Sequence, residues 1–125
     1  MPKNNRQAIA YHPDGRITIR PYNKKNELEV LQELVGGYIE SVNRKILTIN
    51  NADFKEQSKG KKLYMNDNRA GLPENPHFTI TQRHLRPDAP AELTLKDYKR
   101  YSTEIASPVY GTVVSVENAD WHEDE

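Results

Sequence analysis

Cysteine is absent from the 125-residue chain, which removes disulfides and thiolate metal sites and fits a reducing compartment. No stretch approaches the roughly 18 apolar residues of a spanning helix, and the amino terminus lacks the charged-then-apolar order of a secretory signal. No membrane association is expected, and the expected location is the cytoplasm. Net charge is missing too, since 18 basic and 18 acidic residues cancel. Hydrophobic residues make up only 35% and the mean hydropathy is −0.91, so the core must be small relative to the loops. A chain of this length holds one compact domain.

Reactive constellations are equally scarce. His12, His77, His84 and His122 do not stand at the spacings of two to four residues that place two ligands on one metal. The G-x-x-x-x-G-K-[ST] phosphate loop is missing. Serines 41, 58, 102, 107 and 115 have no nucleophile-elbow context, and Glu33 and Glu40 are expected two helical turns apart on a solvated face. Neither an enzyme nor a protein with a metal or cofactor is expected.

What the chain does contain is unevenly placed. Five acids fall between Glu117 and Glu125, leaving 18 bases against 13 acids, an excess of five, over residues 1 to 116. That excess permits contact with an anion but is well below that of a dedicated nucleic-acid binder. Residues 1–7 read as a disordered terminus, 8–116 as a single α+β domain and 117–125 as an acidic tail containing Trp121.

Within the domain, Ala8–Tyr11 and Arg16–Arg20 flank the turn His12-Pro13-Asp14-Gly15 and predict a hairpin. Ile17 and Ile19 share one face, and Arg16, Thr18 and Arg20 share the other, which is expected to meet water or a ligand. Asn26 with Glu29 predicts a capping box, and Leu28, Leu31, Val35, Tyr38 and Val42 predict one helical stripe running through Gly36 and Gly37. Each glycine inside a helix costs about 1 kcal/mol relative to alanine, so either the helix breaks there or a close backbone contact compensates. Gly36 falls on the polar face, while Gly37 sits where a missing side chain allows a strand, a second helix or a ligand to approach.

Arg44–Asn50 reads as a strand, and residues 51 to 62 as a lysine-bearing surface loop, solvated or in contact with an anion. Leu63–Met65 predicts a strand, Asn66–Gly71 a turn, and Leu72–Pro76 an extended loop. A short strand around Phe78 and Ile80 is expected to give way to an irregular loop near residues 83–90. Thr94 and Asp97 predict a second capping box, opening a helix with Leu95, Tyr98, Tyr101 and Ile105 on one face. Pro108–Val116 is the most β-prone run and is expected to be the last and a central strand. The fold class predicted is α+β, a small mostly antiparallel sheet packed on one central helix with a second short helix. Arg83-His84-Leu85-Arg86 and Tyr98-Lys99-Arg100-Tyr101 interleave cations with rings, suiting either a stacked nucleotide or tyrosines buried together.

The run Leu31-Gln32-Glu33-Leu34-Val35-Gly36-Gly37-Tyr38-Ile39-Glu40 resembles the signature of the family called domain of unknown function 3846, found in phage, plasmid and other bacterial mobile-element genomes. Leu63-Tyr64-Met65-Asn66-Asp67, Leu72-Pro73-Glu74-Asn75 and Val109-Tyr110-Gly111-Thr112-Val113-Val114 are similar to further elements of that family. The resemblance spans roughly residues 16 to 116 and departs at 51–62 and 77–106. It implies a phage or mobile-element protein in a bacterial host cell, acting in counter-defence by sequestering a small anionic, nucleotide-derived ligand, with a homo-oligomer allowed. In that reading Gly36 and Gly37 give backbone access, Tyr38 a stacking surface, Asn66 and Asn75 hydrogen bonds to base or ribose, and Arg69 a phosphate contact. Two alternatives stand beside it: a protein-interaction inhibitor of a host defence factor that uses the acidic tail, and a nucleic-acid-binding regulator using Arg83, Arg86, Lys99 and Arg100.

Overall fold

A computed structural model describes residues 6–118. The acidic tail beyond Asn118, with Trp121 and His122, lies outside the described residues. Of the stretch 1–7 expected to be disordered, Arg6 and Gln7 instead pair with Tyr22 and Pro21, and residues 1–5 lie outside the described residues.

The hairpin forms from β1 (Arg6–Tyr11) and β2 (Ile17–Tyr22), closed by the His12 N–H donating to the Arg16 carbonyl at 3.0 Å. Asp14 braces the turn by accepting from the Arg16 backbone N–H at 3.0 Å and its Nε at 2.6 Å. The expected orientation of β2 is reversed. Arg20 faces the helix and pairs with Glu33 at 2.6 Å, whereas Ile19 is 58% exposed on the uncovered rim of the other face.

Helix α1 (Glu27–Val35) buries Val30, Leu31 and Val35. It starts without the expected capping box, since Asn26 Oδ1 accepts from the Asn23 N–H and makes no cap bond to α1. It also stops short of the predicted stripe. Gly36 adopts φ 80° and ψ 25°, a left-handed cap whose N–H donates to the Gln32 carbonyl at 2.9 Å. The chain then turns through Gly37 into β3 (Ile39–Ser41), so Tyr38 and Val42 belong to no helix.

A 3-10 turn at Arg44–Ile46 leads into β4 (Leu47–Ile49), a shorter strand than Arg44–Asn50 suggested. The presumed loop at 51–62 contains α2 (Ala52–Gln57), capped by Asn51 Oδ1, which accepts from the Asp53 and Phe54 N–H groups. Phe54 is buried against Tyr11 with ring centroids 4.8 Å apart. Burial of one such ring stabilises by about 1.5–3 kcal/mol, enough to order a polar segment.

The remaining elements are β5 (Lys62–Asn66), β6 (Glu74–Leu85), α3 (Leu95–Arg100), β7 (Ser102–Tyr110) and β8 (Val113–Val116). Strand β6 absorbs both the expected extended loop near 74–76 and the residues expected to be irregular near 83–85. It crosses an irregularity between Asn75 and Thr79 and pairs with β7 as far as Leu85 opposite Ser102. Thr94 Oγ1 caps α3 by accepting from the Asp97 N–H at 3.1 Å, but the helix ends at Arg100 and Ile105 lies in β7. Pro108–Val116 is two strands, with Gly111 at φ 79° in the turn between them.

The α+β class holds, with two antiparallel sheets where one was expected. The larger runs in the order β2-β1-β8-β5-β3 and the smaller in the order β4-β6-β7. The larger sheet is covered on both faces. Its alternation sends Ala8, Ala10, Val114 and Val116 to α1, and Tyr11, Leu63, Met65 and Val113 to Phe54, Phe78 and Val109. Strand β8 is buried along its whole length and central, as its composition predicted.

Candidate functional site

The nominated residues gather around the turn joining β5 to β6, but not at one point. Gly36, Gly37, Tyr38 and Asn66 line a depression of about 250 Å3 together with Asp67, Asn68 and Leu72. The Asn66 amide is buried there. Its Nδ2 donates to the Val35 carbonyl at 3.1 Å, and its Oδ1 accepts from the Asn68 N–H at 2.8 Å. A Cβ on Gly37 would stand 2.8 Å from that Nδ2, so Gly37 is where α1 and the end of β5 approach too closely for a side chain. Asn66 therefore ties the last turn of α1 to the 66–68 turn, in place of the hydrogen bond to a base or ribose expected of it. Tyr38 accepts from the Asp67 N–H through its carbonyl at 3.0 Å, while the residue is 74% exposed.

Asn75 is fully buried and away from the depression. Its Nδ2 donates to the Tyr11 carbonyl at 3.1 Å and the Gly111 carbonyl at 2.9 Å, and its Oδ1 accepts from the His77 N–H. This amide pins β1 to the β7–β8 turn and is out of reach of a ligand, which removes it from the candidate site.

Arg69 projects to the other side of the same turn. Its Nη2 lies 3.6 Å from a Glu40 carboxylate oxygen, with both side chains nearly half exposed. A pair of this kind contributes about 0–1 kcal/mol, so the guanidinium can exchange partners at little cost. It lines a cleft of about 310 Å3 at the seam between the sheets, with Val42, Ile46, Met65 and Ile80 as apolar lining and Ser41, Gln82 and Ser107 as polar lining. Gln82 and Ser107 are both exposed to solvent. Sequence reasoning missed this cleft because its walls come from β3 and the β6–β7 ribbon, with Ser41 and Ile80 39 positions apart.

The interleaved cations and rings do come together at the far end of the β6–β7 hairpin. The Arg86 and Arg100 guanidinium groups each lie 5.7 Å from the Tyr101 ring centroid, Arg86 also pairs with Asp88 at 3.2 Å, and Arg83 donates to Ser102 Oγ at 3.1 Å. These groups are largely occupied with one another.

At the opposite hairpin, His12 sits between Thr112 Oγ1 at 3.0 Å and Thr18 Oγ1 at 2.7 Å. Burial, with the nearby Arg16 charge, holds its imidazole below the ordinary value of 6.5, although Asp14 pulls the other way. Burial raises the Tyr11 phenol, which is bonded to Ser115 Oγ at 2.9 Å in the core.

Among the described residues no group of three His, Asp or Glu side chains is placed to hold a metal ion. No helix among them is long and apolar enough to cross a membrane. Compared with protein-family models, curated proteins and solved structures, the chain finds no significant match. Its function is therefore read from its own residues.

Proposed function

We propose that this chain is a non-enzymatic binding protein that captures a small ligand carrying a flat ring and an anionic group, of the nucleotide-derived class. The observation that carries the reading is the pairing of an exposed ring, Tyr38, with a weakly held guanidinium, Arg69, on the two sides of the 67–71 turn. Stacking on an aromatic face is worth about 1–3 kcal/mol per base and does not depend on base identity. The anionic end belongs on the Arg69 side, because the Tyr38 depression contains Asp67 and no cation. There the cleft offers Gln82 and Ser107 as exposed polar groups above an apolar lining, the composition of a small-molecule site. Gly36 and Gly37 contribute backbone surface; Asn66 holds them in place. Sequestration of such a ligand suits counter-defence, the context implied by the resemblance of Leu31–Glu40 to phage and mobile-element proteins.

Isothermal titration calorimetry against linear and cyclic nucleotides tests the reading. Binding should weaken about tenfold or more, the equivalent of 1.4 kcal/mol, in Tyr38→Ala and in Arg69→Gln, with Tyr38→Phe close to the parent. Neither substitution touches a buried contact, so melting temperatures should be unchanged. Absence of heat with every nucleotide at high micromolar concentration, or affinity equal to the parent's in both variants, would sink the proposal.

A further inference from the structure

The excess of positive charge over residues 1–116 is concentrated in one place. Between Arg44 and Lys62 stand six cations, Arg44, Lys45, Lys55, Lys59, Lys61 and Lys62, against two acids, Asp53 and Glu56, a local excess of four. The fold draws five of them together. Arg44 Nη1 donates to the Ser58 carbonyl at 3.3 Å and the Lys61 carbonyl at 3.1 Å, which sets the 3-10 turn against the turn between α2 and β5. Lys45 adjoins that clamp, Lys59 and Lys61 occupy the turn itself, and Lys55, on α2, lies one helical turn before Lys59, whereas Lys62 stands apart, opposite Val116 on the α1 face of the sheet.

Two features separate this surface from a scatter of solvated lysines. The first is that the segment is anchored, and so presents its charges in a fixed arrangement. Phe54 and Ser58 are buried, the Ser58 N–H donates to the Phe54 carbonyl at 3.0 Å, and Gly60 at φ 74° makes the tight reversal. The second is that none of the five lysines has a carboxylate partner among the described residues, even though 14 acids stand between residues 6 and 118. Glu117, the residue after β8, is drawn to Arg6 at 3.3 Å.

We propose that this surface docks the phosphate backbone of duplex nucleic acid without reading its sequence. The absence of an exposed ring decides between a duplex and a single strand: single-strand binders combine cations with stacking platforms, and no large exposed apolar or aromatic side chain lies between residues 44 and 62. Lysine serves as a point charge for phosphate, and the docking of several phosphates releases their condensed counterions. The surface is separate from the Tyr38 and Arg69 region, so its test does not depend on that reading.

Fluorescence anisotropy of a labelled random duplex of about 20 base pairs, titrated with the full chain between about 50 and 200 mM salt, gives the measurement. For about four phosphates neutralised, log affinity should fall against log salt with a slope of about −3.6, the same for unrelated sequences. The double variant Lys59→Gln/Lys61→Gln should bind at least tenfold more weakly at low salt, with a slope smaller by about 0.9 per lysine. Lys45→Gln/Lys55→Gln should show a proportionate loss, and Lys24→Gln/Lys25→Gln, ahead of α1, should match the parent. No binding at about 50 mM salt, or an unchanged slope in both patch variants, overturns the proposal. So does equal displacement by polyglutamate, which would assign the surface to an acidic protein.

Discussion

Replacing Gly37 by alanine should destabilise the fold by about 2–4 kcal/mol, and the whole effect should pass through Asn66. The added Cβ would stand 2.8 Å from Asn66 Nδ2 and 3.3 Å from its Cγ and Oδ1. Unstrained carbon contacts lie at about 3.5–4.0 Å, so the amide must retreat by more than half an ångström. It has nowhere to go while keeping its bonds to the Val35 carbonyl and the Asn68 N–H. Each bond is worth about 1 kcal/mol net, and a buried carbonyl left without a donor costs about 1–3 kcal/mol more. Backbone strain adds nothing, since Gly37 is not among the glycines with positive φ. Urea unfolding followed by far-ultraviolet circular dichroism reads the effect. Asn66→Ala alone should cost a similar amount; Gly37→Ala added to it should change stability by less than about 0.5 kcal/mol, or raise it slightly by narrowing the unfolded ensemble. The cycle should therefore show a coupling of about 2–4 kcal/mol. Gly36→Ala is the control. Nothing lies within 4 Å of its Cβ, but φ 80° should cost about 1–2 kcal/mol whatever residue stands at 66. Additive effects of Gly37→Ala and Asn66→Ala would refute the steric argument.

Asn75→Ala should cost about 2–4 kcal/mol in the same assay, because it strands the Tyr11 and Gly111 carbonyls in the interior; a loss below about 0.5 kcal/mol would show that water replaces the amide. His12 predicts a pH dependence. Its folded-state value is depressed, so below the unfolded value of 6.5 the unfolded chain binds the extra proton first. Its contribution is present above pH 6.5 and is lost as pH falls from there toward the folded value, and His12→Gln should flatten that part of the profile. Asp14, depressed by its bonds to Arg16, acts in a lower window, below its ordinary 3.8, so the two are separable. Unchanged pH profiles in His12→Gln would show that its neighbours, not the imidazole, titrate.

The parts of the fold legible in the sequence were those whose signal is local. The Asp14-Gly15 turn, the Leu31 and Val35 part of the helical stripe, the Thr94 cap and the β-rich run at 113–116 each carry their cause within a few residues, although Leu28, expected on that stripe, is exposed and Val30 is buried in its place. The failures share a different cause. Tyr38 and Val42 continue helical spacing by coincidence, because the stop at Gly36 is set by a left-handed backbone that periodicity does not register. Phe54 is a single apolar residue in a polar stretch, and its burial depends on Tyr11 and Phe78, distant in sequence. The outer half of β6 exposes residues on both faces, so no alternation marks it. For the candidate site, residue type was informative and partner was not. Asn66 and Asn75 are amides positioned with care, as a ligand contact would be, but their partners are main-chain groups.

Strand β8 sits at the middle of the larger sheet and supplies Val114 and Val116 to one core and Val113 to the other. Its neighbours include β1, and the buried Tyr11 to Ser115 bond closes a loop across 104 positions. Neither core can be completed before that closure. Contacts of such high sequence separation place a domain among the slow folders, in the millisecond-to-second range, and make the two cores one cooperative unit. During synthesis, residues 6 to 112 would wait with β1 and β5 edges unpaired, so the interval before Val113 emerges is when the chain is most open to misassociation.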